Sequence, residues 1–217
     1  MQYIFKEKIK TAKSLFLVIF FITNLFESIN ASGAYDKGTS AGKGIFEINL
    51  TLNPYGIISY GQDYVILNYG LTDYMDFVTY YSSHQNGTKS AYWGLFYQFV
   101  DNNIIDLGTA FGARKTFNKQ NGYDLFFPQL LYNFKLPKDY TIGGSIVSVY
   151  GKEEKYFNRG YTVDITFYKP VKSIKRISKK VVDAHFGFGV FKNTQMDFDL
   201  DKLYFQYSID IKFNFKN

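Results

Sequence analysis

The chain of 217 residues has no cysteine, so it has neither a disulfide framework nor a thiolate metal site. Its four prolines leave long stretches free to run as uninterrupted strands. Two histidines leave little material for imidazole chemistry. Beyond residue 26 no stretch approaches the roughly eighteen apolar residues of a membrane-spanning helix. Hydrophobic residues nonetheless make up 46%, with a mean hydropathy of −0.18, so they are dispersed rather than pooled. What is abundant is aromatic: 20 Tyr and 23 Phe, well above the share usual in soluble domains.

The first 34 residues read as a leader. Lys6, Lys8, Lys10 and Lys13 precede the apolar run from Ser14 to Phe26, and Ala31, Ser32, Gly33 and Ala34 follow it. A basic start, a short apolar stretch and a small-residue exit describe a cleaved secretory signal peptide, with cleavage after Ala31 or Ala34. The expected organisation is a leader over 1–34, a short periplasmic N-terminal segment over 35–43, and one β-domain over 44–217.

That domain shows a period of two. In the last stretch Leu203, Phe205, Tyr207, Ile209, Ile211, Phe213 and Phe215 alternate with Tyr204, Gln206, Ser208, Asp210, Lys212 and Asn214. Similar alternation marks 44–53, 104–117, 123–136, 160–169 and 181–192. In 123–136 it sets Phe126, Leu130, Tyr132, Phe134 and Leu136 against Gln129, Asn133 and Lys135. Segments 62–70, 74–83 and 140–151 alternate poorly, and 91–100 completes a set of ten strands, with eight or twelve as alternatives.

Five connections are loop-like and polar. Those between them are tight (LTD, DNN, PKD), except for VKSIKRISKK. An even strand count places both termini on the side of the tight turns.

The apolar rows carry bulky Phe, Tyr and Ile, whereas the polar rows are rich in Gly, Ser and Thr. Lipid accepts large side chains that a narrow lumen does not. A sheet can cross hydrocarbon only when no edge is left unpaired. The expected fold is therefore all-β: a closed antiparallel up-and-down transmembrane barrel, its last strand near Ile209 paired with its first near Phe46. A soluble secreted β-barrel binding protein, with the bulky rows inside, is the alternative.

Three pieces of the sequence resemble the small β-barrel proteins of the Gram-negative outer membrane. They are the leader, the phrase NYGLTDYMDF (Asn68 to Phe77) and the aromatic terminal strand ending at Phe215. The resemblance implies the outer membrane as location, with both termini periplasmic. It implies outer-membrane lipids and the barrel-assembly machinery as partners, small polar solutes as cargo, and no nucleic acid.

The candidate interior residues are Glu47, Asp106, Arg114, Lys135, Asp164, Asp183, His185, Asp210 and Lys212. Their mixed charges suit either a narrow pore for small solutes or a lumen plugged by ion pairs. Asp183-Ala-His185 is similar to the Asp-x-His pair of the omptin proteases, which implies a barrel hydrolase as an alternative. Its place near the short-turn end, opposite the end where the omptin site lies, points instead to a lumen hydrogen bond. Asp197, Asp199 and Asp201 read as a solvated acidic loop rather than a calcium site, and no metal or cofactor is expected. Lys169 to Lys180 has six basic residues and no acid, with Val171, Ile174, Ile177 and Val181 at helical spacing. It reads equally as a solvated turn or as a basic element lying on an anionic leaflet.

Overall fold

The computed structural model describes residues 37–52, 62–84, 89–117, 123–153, 156–175, 178–193 and 204–215. The expected leader, the acids Asp197, Asp199 and Asp201, and residues 85–88 after His84 lie outside them.

Ten strands follow in chain order: β1 (Ile45–Leu52), β2 (Gln62–Gly70), β3 (Met75–His84), β4 (Lys89–Asp101), β5 (Ile105–Thr116), β6 (Asp124–Lys135), β7 (Thr141–Glu153), β8 (Tyr156–Pro170), β9 (Val181–Asn193) and β10 (Tyr204–Asn214). Each pairs antiparallel with its sequence neighbours, and the sheet closes on itself. The seam runs from Ile45 opposite Asn214 to Leu52 opposite Tyr207. The expected count and closure are therefore those of the structure, whereas β7 extends to Glu153 and β8 begins at Tyr156, beyond the expected 140–151 and 160–169, into a stretch expected to be loop. A single turn of helix, α1 (Lys172–Lys175), lies between β8 and β9.

The barrel has a turn end and a loop end. Residues 71–74, 102–104, 136–140 and the β8–β9 connection lie at the turn end, where β1 begins and β10 finishes. The connections at the opposite end fall largely outside the described residues.

Alternation decides what each face carries. On β10, Phe205 and Ile209 are exposed, whereas Gln206, Ser208 and Asp210 are buried. Outward rows elsewhere hold Leu50, Phe77, Trp93, Leu95, Phe111, Phe134, Ile165, Phe167, Phe186 and Phe188, all substantially exposed. A belt of exposed Phe, Leu and Ile around a closed sheet is the surface of a transmembrane barrel and disfavours the soluble alternative. Unboiled protein folded in detergent is expected to migrate differently from boiled protein on a gel. Identical migration would contradict a closed, detergent-resistant barrel.

Two sequence readings need correction. First, β2, β3 and β7 do alternate. Their inward residues Tyr64, Ile66, Val78, Tyr80, Val147 and Val149 are themselves apolar and buried. With apolar side chains on both faces, the period is masked. Second, Phe126 points inward rather than to lipid and is 0% exposed. One extra residue sits in β6 between Phe126 and Gln129, relative to both β5 and β7. Pro128 lies in this bulge and brings no N–H to the ladder. The bulge shifts the phase of the upper part of the strand.

Candidate functional site

The lumen divides lengthwise. Toward the loop end, the β2–β6 wall carries an aromatic stack. Tyr64 meets Tyr80 edge-on at 5.3 Å, Tyr80 lies flat on Tyr92 at 4.9 Å, and Tyr92 meets Phe126 at 5.3 Å. The Arg114 guanidinium sits 5.1 Å from the Phe126 ring and forks onto Asp124, with Nε at 2.8 Å and a terminal nitrogen at 2.5 Å. Gly112 makes room for Tyr92, because a Cβ there would come within 2.2 Å of the phenol oxygen. The wall formed by β8, β9, β10 and β1 is small and polar instead, with Thr166, Gly187, Gly189, Gln206, Ser208 and Thr51 facing inward.

Across the turn end of this lumen lies residues 37–43. This is the part of the chain expected to hang in the periplasm ahead of the barrel. Its described residues run inside the barrel instead, because the wall supplies a polar partner at nearly every step. From β1 they wind back along the inner wall at about one residue per strand.

Gly42 crosses β2 so closely that a Cβ on Gly70 would lie 1.8 Å from the Gly42 carbonyl oxygen. The Ala41 amide and the Ser40 hydroxyl both donate to Asp76 of β3 at 2.8 Å. The Ser40 amide donates to Gln98 of β4 at 2.8 Å. The Thr39 hydroxyl donates to Asp106 of β5 at 2.7 Å and accepts from Asn133 of β6 at 2.7 Å. Gly38 rides over the Leu131 carbonyl of β6, where a Cβ would stand 2.5 Å away. Lys37 passes β7 and lies 5.2 Å from the Tyr168 ring of β8. Two glycines with positive φ, Gly42 (+92°) and Gly44 (+73°), turn this strap into β1. The turn is tied by Gly44 N–H to the Gly70 carbonyl at 2.8 Å and Ile45 N–H to the Gly42 carbonyl at 3.0 Å.

The strap ends in a buried charge cluster. The Lys37 ammonium is 3.2 Å from Asp210 and 3.4 Å from Glu47. Lys212 approaches Glu47 at 3.6 Å and donates to the Ser40 carbonyl at 3.0 Å. Asn49 donates to Asp210 at 2.5 Å. Two cations thus face two carboxylates where water is scarce, and each carboxylate needs its cation. A cavity of about 20 Å³ is bounded by Lys37, Thr39, Glu47, Asn68 and Asp76, enough for about one water and too small for a solute.

All nine residues expected inside the barrel stand on inward rows, but they do not form one group. Glu47, Asp210 and Lys212 meet around Lys37. Asp106 and Lys135 pair at 2.8 Å on the other side of the strap, and Lys135 also reaches Asp101 at 3.1 Å. Arg114 stands apart, near the loop end. Asp164 sits midway, accepting from the Ser145 amide at 3.0 Å and from the Ser145 hydroxyl. Asp183 and His185 lie at the turn end with 3.8 Å between Oδ2 and Nδ1, longer than a hydrogen bond.

Sequence reasoning missed Lys37, Thr39, Ser40, Asp76 and Gln98 as members of the site. The run Gly38-Thr39-Ser40-Ala41-Gly42, small at every position, was the one available sign that this segment threads a narrow space.

No family model matches the chain, and no curated protein matches it in sequence. Among solved structures, a KdgM porin aligns with a TM-score of 0.43 and 10% identity, covering 79% of this chain and 99% of that one. OccAB2 of Acinetobacter baumannii aligns with a TM-score of 0.26 and 8% identity. That alignment covers 76% of this chain and 58% of OccAB2. Neither supplies a residue-by-residue correspondence for the lumen.

Proposed function

We propose that the protein is an integral β-barrel of a Gram-negative outer membrane, with the turn end and both termini in the periplasm. Its lumen is a narrow polar path for small solutes, held shut by residues 37–43. The observation that carries this reading is the strap itself, bonded to successive strands around the turn end. The path follows the β8–β10 and β1 wall, where glycine and hydroxyl side chains leave the interior narrow but polar. A leader ending near Ala34 fits the same arrangement, since it would leave only a few residues ahead of Lys37. The aromatic stack favours a second reading, a purely structural barrel with a packed interior.

Conductance of the refolded protein in a planar bilayer separates the two. Gly70→Ala pushes a methyl group against the Gly42 carbonyl, and Asp76→Ala removes the acceptor for Ser40 and Ala41. The expected result is a nearly silent parent and discrete, salt-dependent currents from both variants. Equal steady currents from all three would mean that the strap is no barrier. Silence from all three would favour the structural barrel.

A further inference from the structure

The connection between β8 and β9 differs from every other turn at its end of the barrel. The turns at 71–74 and 136–140 carry Asp73 and Asp139, and the one at 102–104 has no basic residue and follows Asp101, the last residue of β4, whereas residues 169–180 hold six basic residues and no acid. Lys169, Lys172, Lys179 and Lys180 are all exposed. Val171 and Ile174 are half-buried, and α1 packs against β9. Ala184, on the outward row of β9, is only 1% exposed.

The lysines stand at the edge of the apolar belt. The outward row of β8 runs Ile165, Phe167, Lys169, passing from apolar to cationic within one step. On β9 the exposed Val182 and Phe186 follow directly from Lys180. The Lys180 ammonium lies 5.6 Å from the ring of Phe215, which is 59% exposed. Tyr140 stacks on Phe167 at 5.5 Å, placing a phenol at the same border. The patch thus joins an apolar anchor to a one-sided row of cations, as expected of an element at a lipid–water boundary.

We infer that this turn is a binding surface for anionic phospholipid headgroups of the leaflet at the turn end. The inference rests on the membrane-barrel reading above. The lysines supply the charge, and Val182, Phe186 and Phe215 supply contact with the acyl chains. The lopsided distribution favours a cluster of anionic lipids at the β8–β10 side, rather than a uniform shell.

The test uses the full refolded chain in mixed vesicles of phosphatidylglycerol and phosphatidylcholine. Lipid retained on the barrel after detergent release is counted by native mass spectrometry. The parent is expected to retain phosphatidylglycerol preferentially. The triple variant Lys172→Gln, Lys179→Gln, Lys180→Gln is expected to lose that preference by tenfold or more, at about fivefold per lysine. A control triple, Lys43→Gln, Lys89→Gln, Lys138→Gln, removes the same charge from exposed positions elsewhere and is expected to keep it.

Equal loss in both triples would reduce the effect to net charge and overturn the inference. So would a parent with no preference. A barrel that enters the vesicles without choosing phosphatidylglycerol leaves the membrane reading standing. A chain that does not remain in bilayers overturns both.

Discussion

Lys37→Met is expected to cost the folded barrel about 3–5 kcal/mol, the usual range for removing one partner of a buried ion pair. The parent lysine holds Asp210 at 3.2 Å and Glu47 at 3.4 Å, and both carboxylates are buried. Without it, among the described residues Asp210 keeps the Asn49 amide and Glu47 keeps the Lys212 ammonium at 3.6 Å. Equilibrium unfolding by urea in detergent micelles measures the loss. Adding Asp210→Asn to Lys37→Met should recover part of it, because the stranded charge goes with the lysine's absence already accounted for. A double variant no better than the single, or a single variant within about 0.5 kcal/mol of the parent, would show that the cluster does not carry its expected share. The same variant bears on closure of the lumen, since the strap loses its contacts with Asp210 and Glu47.

Ile209→Arg is the second large effect expected. Ile209 lies midway along β10, faces outward, and sits opposite Leu50 across the seam and Phe186 on the other side. Arginine on the lipid face near the bilayer midplane costs about 2–4 kcal/mol and much less near an interface. Unfolding in phosphatidylcholine bilayers should give that cost, whereas Phe215→Arg at the belt's edge should give well under half of it. Equal costs at the two positions would refute the assignment of depth. From sequence alone, Ser208→Arg looks like a mild counterpart on the polar face. The structure withdraws that expectation. Ser208 is 4% exposed, and a Cβ on neighbouring Gly187 would already lie 2.3 Å from its hydroxyl, so a long charged side chain there must displace its neighbours or fill the narrow polar path.

The barrel wall was legible wherever one face is bulky and the other small, as on β1, β5, β8, β9 and β10. There the period of two is a direct record of lipid on one side and a narrow interior on the other. It failed on β2, β3 and β7 for the complementary reason. Tyr64, Tyr80 and Val147 fill the interior with apolar groups, and no contrast remains between the faces. It failed again at Phe126, because a single inserted residue changes the phase without changing the composition. The inward placement of the nine charged candidates could be read from parity. Their partition could not, because Lys37 gathers Glu47, Asp210 and Lys212 from a segment with no period. Its contacts join residues as far apart as 173 positions.

The strap and the seam are parts of one tether. The strap passes through Gly42, Lys43 and Gly44 straight into β1, the strand that zips to β10. Any pull on residues 37–41 is therefore delivered to the first rungs of the closure, at Ile45 and Phe46. The Gly44–Gly70 and Ile45–Gly42 hydrogen bonds bear that load first, at the most pliable point of the path. Rotation at Gly42 and Gly44, the two positive-φ glycines between strap and strand, is the expected first response to such a pull.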